Sequence, residues 1–104
     1  MKTLQELYKI LSGSGIPCAY QKFDERDAPD LPLMVYTTPY ANNFSADGIT
    51  YQIINHVQID LYTKTKDLEA EGKVENALSS FFWNKEEEYL EDERCYRVMY
   101  ELEV

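Results

Sequence analysis

The sequence predicts a two-layer α+β domain, a mainly antiparallel sheet with two helices packed on one of its faces. Three observations lead there. Two stretches, one at the N-terminus and one after residue 66, place apolar residues at helical spacing. Between and beyond them run segments whose apolar and polar residues alternate with the period of a strand. The last of these segments follows a polar reversal, which marks a terminal hairpin rather than a βαβ crossover. At 104 residues the chain reads as one domain, 1–104, able to bury roughly two-thirds of its extended surface.

The first helix is TLQELYKILS, residues 3–12. Leu4, Leu7, Tyr8 and Leu11 fall at i, i+3, i+4 and i+7, so they share a face. Thr3 and Glu6 have capping-box spacing, and Gly13-Ser14-Gly15 with Pro17 ends the helix. Residues 16–23, IPCAYQKF, follow as a short strand, and DERDAPD as a polar loop. LPLMVYTT, residues 31–38, is the next strand, tolerating Pro32 because its first residue need not donate to the ladder. Residues 39–48 then read as a loop.

The clearest strand is ITYQIINHVQIDLY, residues 49–62. Ile49, Tyr51, Ile53, Val57, Ile59 and Leu61 share one parity, broken only by Asn55, where a bulge or bend is expected. Its length implies that the end near the 39–48 loop projects beyond the sheet as one arm of a hairpin. The second helix spans about Asp67 to Phe82, with Asp67 as its cap and Leu68, Val74, Ala77, Leu78 and Phe81 as its stripe. Glu69, Lys73 and Glu75 face water, and Gly72 marks a close approach to the sheet. Phe81-Phe82-Trp83 closes the helix. Residues 85–91 form a weaker strand that reverses near Asp92-Glu93 into CYRVMYELEV, residues 95–104. There Tyr96, Val98, Tyr100, Leu102 and Val104 oppose Arg97, Glu101 and Glu103. Two helices cover only part of one sheet face, and the remainder suits a partner subunit.

Composition excludes several functions. Nineteen acids against ten bases give a net charge of -9, and no basic stripe offsets it, which argues against direct sequence-specific nucleic-acid binding. No apolar run reaches the length of a bilayer span, nor is there a signal peptide's apolar stretch, so a soluble intracellular protein without membrane contact is expected. Apolar residues at 44% and nine tyrosines argue against disorder and favour strands and contact surfaces.

Candidate chemistry is sparse. Cys18 and Cys95 lack C-x-x-C spacing and read as buried thiols, and with the single His56 they are too few for a metal or redox centre. As a general base His56 would want an orienting carboxylate, yet Asp60 on the same strand face is about 13 Å along. Ser12-Gly13-Ser14-Gly15 lacks the length and lysine of a phosphate loop. The acidic run 86–93 has no EF-hand pattern, and reads as a hairpin shielded from edge pairing or as a charged assembly surface. No catalytic residue, cofactor or metal is therefore expected. The expected contacts are Tyr40, Asn42, Asn43 and Phe44 of the 39–48 segment, with Trp83 as an aromatic anchor at the sheet edge.

GIPCAYQKFDERDAPDLPLMVYTTPYANNFSADGITY, VQIDLYTKTKD and ERCYRVMYELEV together resemble a family of small proteins of tailed phages and prophages, the minor capsid or tail-completion proteins. The resemblance runs from about Leu4 to Val104. Its most specific parts are Asn42-Asn43-Phe44-Ser45-Ala46-Asp47, the strand end Asp60-Leu61-Tyr62-Thr63, and the closing Tyr100, Leu102 and Val104. The layout is similar to the tail terminators of long-tailed phages, small α+β subunits whose hexameric ring stops tube growth and faces the head connector. The resemblance implies a structural subunit without catalytic residues, made in the bacterial cytoplasm and carried in the virion. Its partners would be copies of itself, the tail tube and head–tail connector proteins. A monomeric adaptor or regulatory binding domain is the alternative, and a small hydrolase or isomerase a weaker third.

Overall fold

The computed structural model describes residues 4–23, 30–46 and 49–104, with side chains described outside 40–54. The elements run α1 (Leu4–Ser12), β1 (Cys18–Tyr20), β2 (Leu33–Ala46), β3 (Ile49–Thr63), α2 (Leu68–Ala77), β4 (Trp83–Leu90) and β5 (Cys95–Glu103). The strands form one five-stranded sheet in the order β1-β2-β3-β5-β4. Only β1 with β2 is parallel, and the other three pairings are antiparallel.

Register decides which face the helices cover. Met34, Leu61 and Val98 lie in one cross-strand row, Tyr36, Ile59 and Tyr100 in the next, and Val57 faces Leu102. All eight are buried, together with Leu7 and Leu11 of α1 and Ala70 and Val74 of α2 and Leu78 just beyond it. The predicted two-layer α+β class, with two helices on one face, is what the chain adopts. Its odd-parity residues from Val57 to Leu61 and the Val98–Val104 alternation supply the sheet's half of the core, as their spacing implies.

Several boundaries differ from expectation. The first strand is three residues rather than eight, because Gln21 takes a left-handed conformation (φ 66°) and its amide turns back to the Tyr36 carbonyl. The Thr3 half of the capping box and residues 24–29 of the polar loop lie outside the described residues. Asp67 caps α2 as predicted, accepting from the Ala70 amide at 3.0 Å, but the helix ends at Ala77 rather than Phe82. Leu78 donates back to Val74, Phe81 to Leu78, and Trp83 already belongs to β4. Leu68 is not in the stripe; it is exposed, and Glu71 is buried instead. Gly72 makes no close approach, since a Cβ there would meet nothing.

The largest correction concerns residues 39–46, which are strand rather than loop. Pro, Asn, Ala and Ser are weak strand formers, but β3 templates them through a ladder that reaches Ala46 opposite Ile49. Bulges fall not at Asn55 but at Thr38-Pro39 in β2, where a missing N–H costs no ladder bond, and at Tyr51 in β3. Asn55 instead exchanges backbone hydrogen bonds with Val104 at 2.8 and 2.9 Å, closing the β3–β5 pairing.

Candidate functional site

Beyond Asn55 the sheet loses its third strand. β5 ends at Glu103, with Val104 still bonded to Asn55, and β1 covers β2 only at Met34–Tyr36. Residues 40–46 and 49–54 therefore run on as a two-stranded ribbon, and the molecule measures 50 × 25 × 24 Å. The projecting hairpin arm foreseen in the sequence is present, with both of its limbs extended. Tyr40, Asn42, Asn43 and Phe44 lie on the β2 limb, paired with His56, Ile54, Ile53 and Gln52. Their side chains lie outside the described residues.

Trp83 sits elsewhere, at the start of the edge strand β4. Its ring packs edge-on against Tyr100, 5.4 Å between centroids, so it is half-buried over the helix-covered face. Phe81 also packs against the core, whereas Phe82 is 99% exposed. The ring left outside is thus Phe82, which sequence reasoning missed. The available signal was parity: once a strand begins at residue 83, residues 81 and 83 turn inward and residue 82 cannot.

Between the foot of the ribbon and the start of β4 lies a cleft of about 730 Å³, lined by Pro39, His56, Phe81, Phe82, Trp83 and Glu103 among others. His56 Nε2 is 3.6 Å from the Glu103 carboxylate, its cross-strand neighbour. Asp60 is not its partner. The Gln58 side-chain amide donates to Asp60 at 3.2 and 3.3 Å, on the sheet face that carries no helix. Burial pushes the Asp60 carboxyl up, opposed by that amide and by the Arg97 charge. On the same face Arg97 pairs with Glu88.

No protein-family model matches this chain, and no curated protein matches it. Among the described residues, no group of three or more His, Cys, Asp or Glu side chains is arranged to hold a metal. None of their helices is long and apolar enough to cross a membrane. The Cys18 thiol is pushed up to about 12 by burial, far from a reactive thiolate.

The densest polar cluster ties α2 to the terminal hairpin. Glu71, 2% exposed, receives Lys85 Nζ at 2.6 Å, while Lys66 Nζ stands 3.0 Å from each of its oxygens, aligned for a hydrogen bond only to Oε1. Lys85 also reaches Glu75 at 2.9 Å, Lys66 reaches Glu87 at 2.5 Å, and the buried Tyr100 hydroxyl donates to Glu75 at 2.9 Å. Burial alone would raise the Glu75 carboxyl, but Lys85 and the Tyr100 hydroxyl outweigh it and hold the group below its ordinary value. Hydrogen bonds to Glu87 and Glu71 push the Lys66 ammonium above its usual range. Each acid here meets a cation or a hydroxyl, and the cluster fastens α2 and the segment before it to the terminal hairpin. The run 86–93 is mostly exposed, as expected, yet Glu87 and Glu88 are each claimed by a cation.

Proposed function

We propose that the protein is a structural subunit of a phage particle, acting at the tail end or head–tail junction as a ring-forming terminator or completion protein without catalysis. The phage assignment follows from the sequence resemblance. The observation that carries the structural reading is the two-stranded ribbon, which among the described residues has neither a third strand nor a helix upon it. An isolated two-stranded ribbon is marginal in water, so such an arm gains most of its order from a neighbour. The helix-free sheet face and the unpaired outer edge of β4 add surface on which further subunits can pack.

In this reading copies associate side by side in a hexameric ring through sheet edges and the ribbon, and the ring meets the tail tube or connector. The subunit is made in the bacterial cytoplasm and ends in the virion. The free protein remains monomeric when its interfaces are modest, because assembly depends on protomer concentration and on a template. Native mass measurement across concentration, alone and with purified tail tubes, tests the proposal. A ring mass with tubes is expected. A monomer under every condition, with no copies at either tail end by electron microscopy, would replace it with the monomeric adaptor.

A further inference from the structure

We propose that the Phe82 cleft is the socket for the ribbon of a second copy, making the contact between copies head-to-tail. This rests on the ring reading above and adds what the arm grips. An exposed Phe82 beside two half-buried aromatics and a cleft is an anchor position without a companion among the described residues. The ribbon is the other half of such a contact. Its strand residues, 39–46 and 49–55, contain no charged side chain, Asp47 between them being the one charge of the segment, whereas β4, β5 and α2 each carry three or more. The cleft is rimmed by Glu101 and Glu103, so the acidic surfaces of a second copy are repelled from it and the uncharged limbs of the ribbon are not.

Length agrees. Seven steps from Pro39 to Ala46 span about 24 Å at strand rise, matching the 25 and 24 Å short dimensions of the molecule. A ribbon can thus cross one neighbouring copy. It starts at the cleft of its own chain, with Pro39 and His56 in the wall, and runs away from it, so it cannot fill that cleft itself. Arm and socket lie on different parts of one chain; in the ring reading each arm enters the next copy and the contact is heterologous, whereas a reciprocal exchange of arms would close an isologous dimer, and native mass separates the two.

Cross-linking between two single-cysteine variants of the full chain tests this. Ser80→Cys, in the cleft wall beside Phe82, is mixed with Asn42→Cys or Asn43→Cys, adjacent strand positions that take opposite faces, in a Cys18→Ser, Cys95→Ser background with a short bismaleimide. Proteins are taken to millimolar concentration and followed by native mass measurement. A cross-link confined to mixtures of an arm variant with the socket variant is expected. Phe82→Ser should weaken self-association roughly tenfold or more with the thermal midpoint unchanged. Oligomers that form without any arm–socket cross-link, or that ignore Phe82→Ser, would overturn the socket and leave the ring standing. A chain that stays monomeric at millimolar concentration and with tail tubes would overturn both.

Discussion

The two ends of β3 show how differently one strand can be supported. From His56 to Thr63 it lies between β2 and β5, under a helix layer, with Val57, Ile59 and Leu61 almost fully buried. From Ile49 to Ile54 it has β2 alone. The first half is held by core packing and, through its neighbours, by the Lys66–Glu71–Lys85–Glu75 cluster. Among the described residues, the second half has a single ladder. Stability of the fold and capacity for contact are thus separated along one strand, and substitutions in the two halves should behave differently.

Ile59→Ala, in the supported half, should cost about 2–4 kcal/mol of folding stability by removing a wholly buried side chain. Denaturant titration measures it, and a loss under about 1 kcal/mol would show that the core does not depend on this row. Glu71→Ala should cost about 1–3 kcal/mol, less than a fully buried pair because both lysines keep some contact with water. Glu71→Gln, which keeps the volume and loses the charge, should recover only part of that loss, and full recovery would mean that Glu71 acts without its charge.

The cluster also sets a pH window. Glu75 and Glu87 lie below their ordinary values in the folded chain, so their contribution is present above the unfolded carboxylate range and is lost as pH falls through the folded values. Lys66 and Lys85 are raised, so theirs is complete below the unfolded lysine range and lost as pH rises through the folded values. Thermal midpoints should be flat across neutral pH and fall at both extremes. Lys66→Met should blunt both slopes, and equal slopes with and without Lys66 would remove the cluster from the account.

At the ribbon the expected effects on folding are smallest. Phe44→Ala should cost the monomer less than about 1 kcal/mol while weakening assembly by about 1–3 kcal/mol. Denaturation beside a particle-incorporation assay separates the two. Loss of stability equal to that of Ile59→Ala would place the Phe44 ring in a core. Duplex DNA at low salt should bind negligibly to a chain of charge -9; micromolar, salt-sensitive affinity would contradict that.

The contrast between supported and unsupported segments also explains what was readable in the sequence. The 57–61 and 96–104 alternations face a core on one side only, so period and burial agree, and both were legible. Asp67 was legible because a cap is a local hydrogen bond. The end of α2 was not, since Leu78 and Phe81 keep helical spacing through a turn and still reach the core. Glu75 reads as a water-facing residue until Lys85 of β4 and the Tyr100 hydroxyl of β5 are brought to it by the fold. The β2 limb of the ribbon is strand through its partner rather than through its own residues, which is why it read as a loop. The contact residues chosen from sequence divide likewise: four lie on that limb, whereas Trp83 is half-buried and Phe82 beside it is the exposed ring.

Amide hydrogen exchange along β3, in the free chain and in assembled material, tests the separation most directly. The account predicts strong protection from His56 to Thr63 in both states. Protection of Ile49–Ile54 and of the paired β2 residues should be weak in the free chain and rise on assembly by about tenfold or more, the equivalent of roughly 1.4 kcal/mol. Uniform protection along the whole strand in the free chain, unchanged in the assembly, would contradict it.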